Sequence, residues 1–294
     1  MFQVLEEIRN LSKPLYHIEL NKASGSCKEI FIIKDVISMA GKIYVTGDCH
    51  QEFKKFNTKS FPVQKELDKE DYVIICGDYG AVWCAEESPE ERWWLDWLES
   101  KPFTTLFVDG NHENFDRLNS YSIEEWHGGK VHKIRPTVIH LMRGQVYELP
   151  GKKIFTFGGA QSHDLSGGIL ELDDPDYIEK KRELDDEWMS YRINHVSWWK
   201  EELPSEEEMR EAIENLEKNN FEVDYIITHC CASSSQELVA RNSSYSTNVL
   251  TDFFEGIKDK CRYNKWYFGH YHDDLTVNDK EVLLYDEIIE LDKE

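Results

Sequence analysis

The chain has 294 residues, 40% of them apolar and 13% aromatic, with nine tryptophans, which is ample for a buried core and excludes a disordered polypeptide. Its 57 acidic residues outnumber 34 basic ones for a net charge of −23, so the surface repels nucleic-acid phosphates at long range and lacks the basic footprint of a duplex binder. No stretch approaches the roughly 20 apolar residues that span a bilayer, and Met1-Phe2-Gln3-Val4-Leu5-Glu6-Glu7 has acidic residues where a signal peptide carries basic ones, so a cytoplasmic address without membrane association is expected.

Taken in chain order, residues 1–40 read as an N-terminal addition to a single catalytic domain. Short apolar, β-branched runs follow at Ile43–Thr46, 72–76, 105–108, 154–157, Tyr225–Thr228 and 266–268. Near-continuous apolarity, rather than strict alternation, predicts strands covered on both faces. Between them, residues 91–98 carry Trp94, Leu95, Trp97 and Leu98 at helical spacing. The pair Ser205 and Glu208 forms a capping box, and Met209, Ala212, Ile213 and Leu216 make an apolar stripe behind it, so Glu206–Lys218 is predicted helical. Residues 281–291 read as one or two closing strands, and roughly 160–222 as an inserted helical segment, a candidate lid. The acidic clusters at 171–187 and 201–211 are read as solvated helix faces. Strands alternating with helices indicate an α/β protein with a layered sheet core. Seven cysteines (Cys27, Cys49, Cys76, Cys84, Cys230, Cys231 and Cys261), odd in number and without a C-x-x-C pair, point to free thiols in a reducing compartment.

Five of the apolar runs end alike. They lead into Gly47-Asp48-Cys49-His50, Gly77-Asp78-Tyr79-Gly80, Asp109-Gly110-Asn111-His112-Glu113, His229, and Gly269-His270-Tyr271-His272. In open α/β sheets the carboxyl ends of strands form the crevice where ligands bind, so these polar residues are expected to converge. Oxygen and imidazole donors suit Mn²⁺ best here, with Fe or Zn²⁺ as alternatives, whereas Ca²⁺ prefers all-oxygen cages. On an extended segment, residues two apart point to one side, so Asp48 and His50 can share an ion, and His270 and His272 have the same spacing. Asp78, alone after its strand, is placed to bridge two ions with its two oxygens. Two metals about 3.5–4 Å apart clamp an in-line displacement, and a water between them becomes the nucleophile.

D-x-H, G-D, G-N-H-E, a lone histidine after a strand, and G-H-x-H in this order resemble the calcineurin-like metallophosphoesterases, over Asp48 to His272. The resemblance implies a β-sandwich flanked by helices, with the dinuclear site at the carboxyl ends of the strands. It implies that Asp48, His50, Asp78 and His272 hold one divalent ion and Asp78, Asn111, His229 and His270 the other. It also implies that His112 contacts substrate, protonating the leaving oxygen or stabilising the phosphoryl group. Asp109 is expected to support the histidines and Glu113 to support His112 or its loop, while His163 is a candidate to line the site. His17, His127, His132, His140 and His195 have no ligand-like context. One departure stands out: the protein Ser/Thr phosphatases of the family carry an arginine after the second motif, where this chain reads Tyr79-Gly80-Ala81-Val82-Trp83. Arg117, Arg143, Arg192 and Arg241 are the alternative phosphate clamps. The stretch 157–164, followed later by Ser197-Trp198-Trp199-Lys200-Glu201-Glu202, is similar to smaller bacterial and phage members. Hydrolysis of a phosphomonoester, on a phosphopeptide or a small phosphorylated metabolite, is slightly favoured. The alternatives are a phosphodiesterase acting on cyclic or linear nucleotides, and a non-catalytic metal-binding scaffold.

Overall fold

A computed structural model describes residues 41–240 and 245–292 of the chain. The expected N-terminal addition, with His17 and Cys27, and Arg241 lie outside the described residues. The first half supplies β1 (Ile43–Thr46), β2 (Tyr72–Ile75), α1 (Pro89–Glu99), β3 (Thr104–Phe107), α2 (Phe115–Leu118), β4 (Ile123–Trp126), β5 (Gly129–Arg135) and β6 (Val138–Leu141). The rest supplies β7 (Gln145–Leu149), β8 (Lys152–Phe157), β9 (Ile169–Leu170), α3 (Tyr177–Asp186), β10 (Arg192–Ile193), α4 (Glu206–Lys218), β11 (Tyr225–Thr228), α5 (Ser233–Val239), α6 (Val249–Lys260), β12 (Lys265–Phe268), β13 (Leu275–Thr276), β14 (Glu281–Leu283) and β15 (Ile288–Glu290).

Two sheets carry the fold, in the orders β15-β1-β2-β3-β6-β5-β4 and β13-β14-β12-β11-β8-β7. Strand periodicity explains how they stack, because successive side chains leave opposite faces. In the first sheet Ile43, Val45, Tyr72, Ile74, Leu106 and Val108 pack into the same cluster as Ile154, Tyr225, Ile227 and Tyr267 of the second. The intervening residues point outward. Tyr44, Val73, Ile75 and Phe107 meet Trp94, Leu95 and Leu98 of α1, while Phe155, Phe157, Ile226, Trp266 and Phe268 meet Ala212 and Leu216 of α4 and Leu250, Phe254 and Ile257 of α6. Each central strand is therefore covered on both faces, as its unbroken apolarity requires. The result is a β-sandwich with helices on its two outer sides.

Local signals place the helices. Ser88 caps α1 with Glu91 reaching back and Pro89 in the first turn, and Ser205 with Glu208 does the same for α4, two reciprocal boxes that satisfy free first-turn amides. Helix α3 buries no residue, as its acidic composition suggests. Strands β4 and β5 carry no continuous apolar run in sequence, because they lie at one edge of the sheet and interleave charged side chains with apolar ones. Among the described residues no helix is long and apolar enough to cross a membrane.

Parallel pairing sets where polar loops can gather. β1, β2 and β3 run parallel with Thr46, Ile75 and Phe107 in register, and β8, β11 and β12 run parallel in the second sheet. Their carboxyl ends consequently open on common edges. Phe107 is fully buried and stacks on Tyr79 at 4.1 Å between ring centroids, so it joins the β3 strand to the loop that carries Asp78. Phe107→Ala is expected to lower stability by about 3–5 kcal/mol, the usual range for an aromatic deleted from a packed core, measured by chemical denaturation.

Candidate metal centre

The five motif loops meet at that strand edge. His50 Nε2 lies 3.7 Å from Asp48 Oδ2 and 3.7 Å from Asp78 Oδ2, and His272 Nε2 lies 3.2 Å from Asp48 Oδ2. On the other side His229 Nε2 lies 3.3 Å from Asp78 Oδ1 and 3.4 Å from Asn111 Oδ1. Two groups emerge in which one donor atom from each residue lies within 4.8 Å of all the others: Asp48, His50, Asp78 and His272, and Asp78, His229 and His270. Asp78 belongs to both and turns a different oxygen toward each.

The extended-segment expectation for these loops needs correction. His50 (φ 46°), Asp78 (φ 43°), His270 (φ 72°) and His272 (φ 50°) are all in the left-handed region, which costs of order 1–3 kcal/mol for each such non-glycine residue. Tight turns, not an extended pleat, aim these side chains. His272 joins Asp48 while His270 joins His229, the same division that the resemblance implies. Two glycines are there for space as well as conformation. A Cβ on Gly77, itself at φ +88°, would fall 2.2 Å from His229 Nδ1, and one on Gly269 would fall 2.1 Å from Asp48 Oδ1.

The electrostatics are those of charge forced into a dry place. Burial by itself raises Asp78, yet His229, His112 and His50 beside it hold the carboxyl far below the usual carboxylate range. Burial likewise opposes a charged His229, but Asp78 and Asp48 outweigh it and lift the imidazole to about 10. His229 Nδ1 sits 2.7 Å from the Cys76 carbonyl, so Nδ1 keeps its proton as donor and Nε2 is the nitrogen facing Asp78 and Asn111. Burial pushes His50 and His270 down. The Asp48 hydrogen bond raises His272.

Around the two groups, His112 donates its backbone N–H to Asp78 Oδ1 at 2.8 Å, and its ring lies between His50, at 4.9 Å and nearly perpendicular, and Trp83, stacked at 5.7 Å. Glu113 is fully buried and accepts from the backbone N–H groups of Tyr79 (2.8 Å) and Gly80 (3.2 Å), which fastens the Asp78 loop to its own; burial and the nearby Asp78 push its pKa well up. Asp109 accepts from Arg143 Nε at 2.9 Å and contacts His140 Nε2 at 3.1 Å. His163 is exposed and brings Nε2 to 2.9 Å from His270 Nε2. Cys230 and Cys231 are buried in the outer core, outside both groups.

Sequence reasoning assigned no role to three contributors. Lys55 donates to the carbonyls of Gly47, Asp48 and Tyr285 and so clamps the Asp48 loop. Ser162 and Glu202 stand behind Asn111. Polar residues that act through backbone or through another side chain leave no spacing pattern. The arginines also fall differently from expectation. Arg117 is buried against Glu91 at 2.8 Å, Arg143 against Asp109, and Arg192 pairs with Asp164.

Divalent ions fit this donor set. Imidazole nitrogens face each other at 3.0 Å across His50 and His272 and both approach carboxylate oxygens, a convergence of nitrogen and oxygen donors that suits a divalent cation. A two-sheet fold with such a centre at its strand ends defines a metal-dependent phosphoesterase. The sequence profile described as calcineurin-like phosphoesterase matches residues 41–274, and the chain belongs to that family. It is also 28% identical over 144 residues, 44% of this chain and 26% of the relative, to lariat debranching enzyme A of Xenopus laevis. The lariat debranching enzyme of Danio rerio is 26% identical over 145 residues (45% and 24%), and that of Homo sapiens 26% identical over 144 (44% and 25%). The match spans about a quarter of the length of these relatives.

Because Asp78 and Asp48 raise the His229 imidazole well above its ordinary value and a metal ligand must be neutral, metal binding should release protons at neutral pH. Mn²⁺ affinity is therefore expected to rise with pH through the neutral range. Calorimetric titrations at one pH in buffers of different ionisation enthalpy check this; heats independent of the buffer would rule it out.

Proposed function

We propose that the protein hydrolyses phosphate esters at a centre of two divalent ions, Mn²⁺ first among the candidates. Asp48, His50, Asp78 and His272 would hold one ion, and Asp78, Asn111, His229 and His270 the other. The observation that carries this reading is Asp78: buried, left-handed, and facing one group with Oδ2 and the other with Oδ1. When bound, such ions neutralise phosphoryl charge and supply an activated water for in-line attack on phosphorus.

The chain's own residues do the rest. Asp78 ties the two groups together and, through Oδ1, fixes the backbone of His112. His112 is half-buried between Trp83 and His50, which restricts its ring while leaving an edge for substrate. From there it holds a phosphoryl oxygen or gives a proton to the leaving oxygen, a step that is typically worth 10²–10⁴-fold. Tyr245 packs on His163 beside the second group and adds an aromatic wall. The free thiols of the six described cysteines support a reducing, cytoplasmic setting.

A monoester, on a phosphopeptide or small metabolite, is the substrate class favoured by sequence. One observation supports the diester alternative instead. Arg117, Arg143 and Arg192 are each committed to a carboxylate of the protein itself, so none of them stands ready for the second charge of a monoester dianion.

With Mn²⁺ supplied, hydrolysis of p-nitrophenyl phosphate and bis-p-nitrophenyl phosphate separates the classes, and a lariat, the substrate in the relatives' names, serves as a third arm. His112→Ala is expected to lower kcat by about 10²–10³-fold on the preferred ester, and Asp78→Asn to abolish turnover. Equal turnover by wild type and both variants would defeat the proposal.

A further inference from the structure

We infer that Ser162 and Glu202 are positioning residues that fix which end of the Asn111 amide faces the second ion, an inference that rests on the metal-centre reading above. Asn111 is a delicate donor, because its side-chain oxygen and nitrogen have nearly the same shape and only the oxygen can bind a cation. Rotation of the amide by half a turn would present an NH₂ group to the ion. Something must choose the orientation, and two buried neighbours do so by their hydrogen-bond valence.

Ser162, in the loop after β8, and Glu202, in the short turn Lys200–Glu202, are both buried. Glu202 accepts twice from Ser162: Oε1 takes its backbone N–H at 3.1 Å and Oε2 its hydroxyl at 2.7 Å. The serine hydroxyl proton is thereby committed to the carboxylate. What Ser162 Oγ offers on its other side is a lone pair, and the Asn111 Nδ2 group lies there at 3.4 Å. The Asn111 oxygen is left facing His229 Nε2, also at 3.4 Å, among the donors of the second ion. The flipped amide would set its oxygen against a serine oxygen with no proton to share.

The carboxylate matters, not just a polar residue of that size. Both groups that Glu202 receives from Ser162 are donors, so it must accept at both oxygens. A glutamine of the same volume accepts at one and donates at the other. If its NH₂ faces Ser162 Oγ, the hydroxyl proton turns toward Asn111 and reverses the amide. The turn that carries Glu202 is itself fastened: Arg143 Nη2 donates to the Glu201 carbonyl at 2.7 Å while gripping Asp109, and the Asp109 carbonyl accepts from Gly159 N–H at 2.8 Å. The three loops that bear Asn111, Ser162 and Glu202 are thus locked to one another.

The test titrates Mn²⁺ into the metal-stripped full-length protein by calorimetry, for wild type, Ser162→Ala, Ser162→Thr, Glu202→Gln and Asn111→Ala, with a thermal melt of each to confirm folding. Loss of such a supporting partner typically weakens a metal by about 10–100-fold. Ser162→Ala and Glu202→Gln are expected to weaken one of two ions by that factor, the same ion that Asn111→Ala weakens, and to leave the other unchanged. Ser162→Thr, which keeps the hydroxyl, is expected to restore wild-type binding. In turnover, the Mn²⁺ concentration for half-activation should rise while KM for the ester holds. Folded Ser162→Ala and Glu202→Gln proteins that bind both ions as wild type does would overturn the inference, as would equal weakening of both ions, the mark of a general structural role. If wild type binds no ions, or Asn111→Ala binds both unchanged, the metal-centre reading itself fails, and the positioning role with it.

Discussion

The carboxylates of Asp48, Asp78, Asp109 and Glu113 are buried at one edge of the sandwich, and the rest of the site is organised by the need to offset them. A buried ion without compensation costs several kcal/mol even after relaxation. Two of the four are settled within the protein. Asp109 has Arg143 and His140, and Glu113 has a set of backbone N–H groups. Among the described residues, Asp48 and Asp78 are faced by imidazoles and by N–H groups of the motif loops. Imidazole is the one cationic partner that can also give up its proton and become a metal ligand near neutral pH. The pair therefore sits between an internal ion-pair network and a metal centre, with the balance set by metal supply and pH.

The geometry of the loops comes from the same crowding. Five chain segments must bring polar side chains within a few ångströms of each other while neighbouring strands stay about 5 Å apart and the two stacked sheets about 10 Å apart. Left-handed turns at His50, Asp78, His270 and His272 meet that demand. Strain of this kind persists only where the surroundings fix it, and here the fixing groups are plain: the Glu113 carboxylate, the Lys55 ammonium and the paired strand ends. Donors held this way are preorganised, so little need be ordered when a cation arrives.

The family membership and the arginine pairings bear on substrate in different ways. The family defines phosphoester chemistry and leaves the ester open. Arg117, Arg143 and Arg192 each pair with a carboxylate of the protein itself, on a chain whose net charge is −23.

Much of the fold and nearly all of the candidate centre was legible in the sequence. Continuous apolar runs marked the central strands because those strands are covered on both sides, and the Ser205 and Glu208 box marked the α4 helix because capping is a local matter. The motif residues stood out since each comes directly after a buried strand, and parallel pairing carries strand ends to a common edge. Edge strands β4 and β5 escaped, because partial exposure dilutes the apolar signal. Only the tertiary structure decided that left-handed turns aim the motif histidines, that Arg143 serves Asp109, and that Ser162 and Glu202 stand behind Asn111. Those outcomes depend on backbone rotation at single residues and on contacts between loops 34 or more positions apart, and sequence spacing encodes neither.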